Sequence, residues 1–415
     1  MTKRILILIV AVSSFVIAFR SNSLAESLPI FGPAKYSRIT GVPNLFSDIF
    51  RSCNAGATYK VVIENGEAGK NRISSGAISL NGQEIVNQRD FPQKVDMIEK
   101  VVSLQAENTI SVKLASGPNC FIKVNVYCVT NCLEVKITSP VTGNTINKSK
   151  TIIRGDLYNA FGETGVVLQS SGTIGNVSSA TQTQETSFAG MISLQQGQNT
   201  ITATATDACG YKTTDNVTIN TQTLDEKIRL TANPESGIST LDVTLEAEAY
   251  FPIAISGYSW DINGDGTPDK AGPALARITA QYEIPGLYFP KVTISDTAGN
   301  TFSETVLVNV LSREEMNVLL KGKWDGMRAS LVNGNIDSAL LRYYAKESQG
   351  EYRQIFQFLS PQLPSLVSAM QEITMIGING NVAEYYVKRR QKEMDISYFI
   401  YFIRDENGIW KIRDF

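Results

Sequence analysis

Five oxygen-bearing positions at alternate places offer the most definite chemistry in this sequence. Asp261, Asn263, Asp265, Thr267 and Asp269 fall at positions one, three, five, seven and nine of a calcium-loop pattern, with Gly266 at the sharp turn. Oxygen ligands at alternate positions let a short loop curl around a hard cation, with Thr267 contributing its backbone carbonyl. Position twelve, where a bidentate carboxylate would close the shell, is Gly272. Two readings stand: a weak extracellular-type calcium site, or a turn whose Asp261 and Asp265 bond backbone amides.

Histidine is absent from all 415 residues. Without imidazole no Ser-His-Asp or Cys-His nucleophile and no histidine-ligated metal site can form, which leaves carboxylates and tyrosine for acid–base work. Cys53, Cys120, Cys128, Cys132 and Cys209 are an odd set, so in an exported chain they are disulfide candidates with at least one unpaired within the molecule. A zinc knuckle fits poorly, because the spacings are irregular and no Cys-x-x-Cys pair occurs. Trp260, Trp324 and Trp410 could form a sugar-stacking set, yet each sits where a sandwich or helix–sheet core needs a large side chain, and we expect core for all three. Lys+Arg 38 against Asp+Glu 40 gives no strong pull toward nucleic acid or a charged membrane surface.

The elements that must position these residues follow an export signal. Lys3 and Arg4 precede the apolar run Ile5 to Phe19, and Ser23-Leu24-Ala25 offers small residues for cleavage after Ala25. The alternative is an uncleaved anchor, since Arg20 follows the run directly, but about fifteen apolar residues are short for a span. We therefore expect residues 1–25 to be removed and the mature protein to be exported: extracellular, cell-surface or periplasmic, with no transmembrane span.

Length leaves room for three or four domains. Residues 26–130 read as a β-sandwich module, with the alternating Tyr59-Lys-Val-Val-Ile-Glu64 and a hairpin signal at Asn81-Gly82. Residues 133–221 read as a second, opening Val135-Lys-Ile-Thr-Ser-Pro140. Ser103-Leu-Gln-Ala-Glu-Asn-Thr-Ile in the first module is echoed by Ser193-Leu-Gln-Gln-Gly-Gln-Asn-Thr-Ile in the second. In residues 226–311, Leu241, Val243, Leu245, Ala247 and Ala249 alternate with polar residues as the buried face of a strand. Residues 312–415 change character: Ser312 can cap a helix carrying Met316, Leu319, Leu320, Trp324 and Met327, further helical stretches follow, and strands end the chain. Helices first and an antiparallel sheet last indicate an α+β layer. Finished strand patterns near residues 131, 223 and 312 lead us to expect separable domains.

Three resemblances sharpen this. Gly257-Tyr-Ser-Trp-Asp-Ile-Asn-Gly-Asp-Gly266, Tyr282-Glu-Ile-Pro-Gly-Leu-Tyr288 and Val292-Thr-Ile-Ser-Asp-Thr-Ala-Gly-Asn300 together resemble the polycystic kidney disease (PKD) domain, an Ig-like β-sandwich. The second module resembles the bacterial Ig-like module found beside glucodextranase-type enzymes, departing from it in the Ser/Gly/Thr-rich loop around Ser170 to Thr183. The ending Arg404-Asp-Glu-Asn-Gly-Ile-Trp-Lys-Ile-Arg-Asp-Phe415 resembles the last hairpin of the nuclear-transport-factor-like, ketosteroid-isomerase-like cone fold. The expected architecture is multi-domain and mainly β: three Ig-like β-sandwich modules in series followed by an α+β cone-like domain.

The cone resemblance implies a pocket in which a buried carboxylate base and a tyrosine would act together. Glu384, Tyr385, Tyr398 and Tyr401 are its lining candidates, against the plainer reading that Tyr343, Tyr385 and Tyr398 are core aromatics. The PKD-like and Ig-like resemblances imply a non-enzymatic protein for adhesion, spacing or capture of a protein or glycan at the cell surface. It would need no cofactor, with calcium the one candidate. Two alternatives stay open: an enzyme or small-ligand-binding protein with its site in the cone-like domain, and an accessory subunit of an exported complex, which an unpaired cysteine would suit.

Overall fold

A computed structural model describes residues 29–92, 94–171, 173–174, 187–222, 226–391 and 394–415. The expected export signal, residues 1–25, and most of the divergent Ser170 to Thr183 loop lie outside the described residues. The molecule is mainly β, with three sandwiches followed by an α+β unit.

In the first module, one four-stranded sheet takes Phe31–Ser37, Phe121–Thr130, Thr58–Asn65 and Met97–Val102, and the other Asn44–Arg51, Glu107–Leu114, Gly76–Leu80 and Gln83–Val86. Val61, Ile63, Ile110 and Leu114 fill the space between them. Asn81 and Gly82, with φ of 52° and 80°, make the tight reversal expected of an Asn-Gly hairpin. The second module pairs Ser187–Ser193, Lys150–Tyr158 and Glu134–Ser139 in one sheet against Thr173–Ile174, Thr164–Ser170, Gly197–Asp207 and Lys212–Thr221 in the other.

The echo between these modules has a physical cause. Asn108 accepts from the Gln105 N–H (2.9 Å) and donates back to the Gln105 carbonyl (2.7 Å). Asn199 does the same with Gln195, at 2.9 and 2.7 Å. Both asparagines are buried, so each must satisfy its amide internally, and the repeated sequence supplies the turn that lets it.

The third module packs Ile228–Asn233, Leu241–Ala249 and Arg277–Tyr282 against Lys270–Gly272, Ile255–Asp261, Lys291–Asp296 and Thr301–Thr305. Val243, Leu245 and Ala247 are its buried stripe, and Trp260, wholly enclosed, donates its indole N–H to the Leu275 carbonyl (2.8 Å). Three of its short strands leave the sandwich. Gly286–Tyr288, Val308–Leu311 and Ser236–Ile238 continue into Thr374–Asn379, Val382–Gln391, Met394–Arg404 and Trp410–Asp414 as one seven-stranded sheet. The contact across the join is narrow, Gly237 pairing with Asn379.

Four helices cover the last four strands: α1 (Arg313–Val332), α2 (Ile336–Tyr343), α3 (Gln349–Phe358) and α4 (Leu363–Ser368). The Ser312 hydroxyl caps α1 by accepting from the Glu315 N–H (3.2 Å), and Met316, Leu320, Trp324, Met327 and Leu331 form its buried stripe. Gly326 is required where α2 crosses α1, because a Cβ there would lie 2.3 Å from the Tyr343 hydroxyl oxygen.

The modules are not independent beads. Cys53–Cys209 joins the first to the second, while Cys128–Cys132 closes a local loop and Cys120 is free. Lys148 pairs with Glu304 (2.9 Å) and the Arg154 guanidinium lies over the Phe289 ring (3.5 Å), both between the second and third modules. The last unit returns to the first through Arg342 and Glu107 (2.9 Å) and to the second through a buried contact. The expected break at 312 therefore falls inside a continuous sheet rather than in a linker.

Candidate functional site

The Asp261 loop is built by its own backbone. Gly264 and Gly266 adopt φ of +79° and +94°, which turns successive amides inward. Asp261 accepts there from Gly264 (2.8 Å) and Asp265 (3.1 Å) on Oδ1 and from Gly266 (2.9 Å) on Oδ2. Asp269 Oδ2 accepts from the Ile262 N–H (2.6 Å). Asp265 accepts from the Thr267 N–H (2.7 Å) and the Asn263 amide (3.0 Å), and these bonds hold its carboxyl below the usual range. The Tyr282 hydroxyl anchors the loop on the Ile262 carbonyl (3.0 Å). The carboxylates of Asp261, Asp265 and Asp269 thus each already serve loop amides. Among the described residues, the one group of three acid or cysteine ligand atoms within 4.8 Å of one another is Cys53, Asp207 and Cys209, and its two sulfurs are joined to each other.

Strand alternation puts Glu384 and its cross-strand partner Tyr401 on one face of the sheet and Tyr385 on the other. Tyr385 points into the core and donates to Asn317 Oδ1 (3.1 Å), and burial pushes its phenol well above the usual value. Glu384, its neighbour, is exposed; so is Tyr398, and Tyr401, paired with Glu384, is half-buried. The carboxylate and tyrosine of this set that face each other, Glu384 and Tyr401, do so on the face opposite the buried Tyr385 and not in the core. Trp324, Tyr344, Tyr385, Phe402 and Trp410 fill the space between helices and sheet. All three tryptophans are core residues.

Two features escaped sequence reasoning. The first is a buried polar contact between the second module and the C-terminal unit. Glu163 Oε1 accepts from the Trp410 N–H (2.8 Å), and Oε2 lies 2.6 Å from the Lys323 ammonium. Arg404 lies over the Trp410 ring (5.0 Å); burial lowers its guanidinium pKa to about 10 while Glu163 opposes the shift. Burial also lowers Lys411, with Lys323 adding repulsion. Beside this cluster Gly165 meets the Asn407–Gly408 turn so closely that a Cβ would lie 2.1 Å from the Asn407 carbonyl oxygen. The second is a groove of about 910 Å³ between the second and third modules, bordered by Lys150, Arg154, Arg229, Tyr250 and Phe302. Its sequence trace is two basic pairs, Lys148/Lys150 within the second module and Lys227/Arg229 beside the expected start of the third.

Comparison with known proteins bears chiefly on the second module, whose residues 133–223 match the family described as Glucodextranase, domain B. That match and the two packed antiparallel sheets make this module an Ig-like β-sandwich. Among curated proteins, no sequence matches the chain. Solved structures with partial likeness include the fibronectin(III)-like modules of Clostridium thermocellum CbhA (16% identity, 43% of this chain and 95% of that one, TM-score 0.19). The tandem Ig repeats of Dlar give 11% identity over 43% of this chain and 98% of that one, at a TM-score of 0.19. Dimeric latent PorU of Porphyromonas gingivalis gives 9% identity over 62% of this chain and 30% of its own length, at a TM-score of 0.27. Superpositions this loose carry nothing further about this chain.

Proposed function

We propose that this chain is an exported binding and spacing protein without catalytic activity, its Ig-like sandwiches and C-terminal unit held together as one body that engages a protein or glycan at the cell surface. The same reading takes residues 226–311 as PKD-like and residues 312–415 as cone-like. The observation that carries it is the filled interior of the C-terminal unit: Tyr385, Phe402 and Trp410 occupy the volume that a ligand or substrate would need, and Glu384 points away. The absence of histidine supports it by removing the commonest general base.

Titration of the mature chain with an apolar fluorescent probe, alongside an assay of steroid double-bond isomerisation, tests the reading. We expect neither saturable micromolar binding nor turnover. Saturable binding abolished by filling the interior, or isomerisation lost in Glu384→Gln, would overturn it in favour of the ligand-binding or enzyme alternative. Amino-terminal sequencing of exported material tests cleavage, which should leave Glu26 first.

A further inference from the structure

We propose that the groove between the second and third modules binds a polysaccharide bearing carboxylates. Its volume, about 910 Å³, lies near the top of the roughly 300–1,000 Å³ range of ligand sites. Five basic side chains line it against three acidic ones, and of those three Glu304 is already neutralised by Lys148. Two of the cations are uncommitted. The Lys150 ammonium enters no ion pair among the described residues, and the Arg154 guanidinium, its carbon 3.5 Å from the centre of the Phe289 ring, donates no hydrogen bond among them. A guanidinium placed over an aromatic ring with no hydrogen bond of its own keeps N–H donors for a carboxylate. Arg229, exposed beside the half-exposed Tyr250, adds a third positive charge next to an aromatic surface on which a sugar ring can lie.

A peptide fits less well. Thr301–Thr305 is a sheet-edge strand on the groove, the feature to which an extended peptide would add. That edge is guarded: the Lys148 ammonium contacts the Ser303 carbonyl (3.4 Å) and both Glu304 oxygens (3.0 and 2.9 Å). What remains available are cations and hydroxyls, which suit a polymer of acidic sugars. The proposal rests on the binding-protein reading above and supplies its ligand class.

The test is binding of an oligogalacturonate to the full mature chain at low and physiological salt, with neutral dextran and polyglutamate of similar length as comparators. The oligogalacturonate should bind, more weakly as salt rises, and ahead of both comparators. The double variant Lys150→Glu/Arg229→Glu should bind at least tenfold more weakly with an unchanged melting temperature, and Arg229→Lys should keep most of the affinity. Undiminished binding by the double variant, equal or tighter binding of polyglutamate, or no binding at all would each overturn the site. A negative result here with no apolar-probe binding above removes this ligand class alone, whereas isomerase turnover would strike the parent reading whatever the groove does.

Discussion

The turns at Asp207 and Asp296 are the same device set in different surroundings. In each, Oδ1 accepts from the N–H two and four residues on: Cys209 and Tyr211 (both 2.9 Å) for Asp207, Ala298 (2.9 Å) and Asn300 (2.8 Å) for Asp296. In each a glycine three residues on, Gly210 or Gly299, takes a φ near +90° (93° and 87°). The carboxyls nevertheless move in opposite directions. Burial beside the Cys53–Cys209 bridge raises Asp207 above the usual carboxylate value, its amide bonds only partly opposing this. The Asn300 side chain, donating to Oδ2 at 2.8 Å, leads the causes that hold Asp296 low. A third copy at Asp405, bonded to Asn407 and Ile409 (both 2.9 Å), is docked, its Gly408 pressed on Gly165 of the second module. The local sequence builds the turn; what packs on it sets its electrostatics and use.

The docked copy should be the most sensitive. Glu163→Ala leaves Lys323 buried without its partner and the Trp410 N–H without an acceptor, and should destabilise the molecule by about 3–5 kcal/mol in denaturant unfolding. A loss under about 1 kcal/mol would mean that the contact opens readily to water.

The copy at Asp207 comes next. Cys53→Ser/Cys209→Ser removes a crosslink spanning 156 residues and should cost about 2–5 kcal/mol. Proteolysis just after Cys132, outside the loop closed by Cys128–Cys132, should then release the first module, whereas the oxidised wild type should release it only after reduction. Release from the unreduced wild type would show that the bridge does not form.

Charge removal should separate the turn at Asp207 from the turn at Asp296. For Asp296, whose folded pKa is depressed, the carboxylate's contribution is present above the unfolded value near 3.8 and is lost as pH falls through the folded value. Asp296→Asn should therefore melt lower at pH 7, also because its new NH2 can face the Asn300 donor, with the gap closing in acid. For Asp207, whose folded pKa is raised, the contribution is present below the unfolded value and is lost as pH rises through the folded one. Asp207→Asn should melt no lower than wild type at pH 7, any gain shrinking in acid. The same response from both variants would erase the difference between the turns.

Calcium should have the smallest effect. A cation at Asp261 must compete with three amide donors, and even a site of about millimolar Kd would add only about 0.4 kcal/mol at 1 mM calcium. We expect melting curves in calcium, magnesium and chelator to coincide. A calcium-specific shift lost in Asp265→Asn and Asp269→Ala would instead establish the loop as a metal site.

Much of this molecule is local and therefore legible in its sequence. Alternation placed Val243, Leu245 and Ala247 inward, Ser312 marked the start of α1, Asn81-Gly82 marked a hairpin, and the paired Ser-Leu-Gln repeats pointed to a common architecture in the first two modules, because each depends on residues a few positions apart. The odd cysteine count required an unpaired thiol, now Cys120. The partners of Cys53, the seven-stranded sheet across the 312 boundary, the enclosure of Glu163 and the groove at Lys150 join residues tens to hundreds of positions apart. No periodicity records such pairings, since a sequence encodes which face of an element must be covered but not which other element covers it; that is decided only when the modules pack.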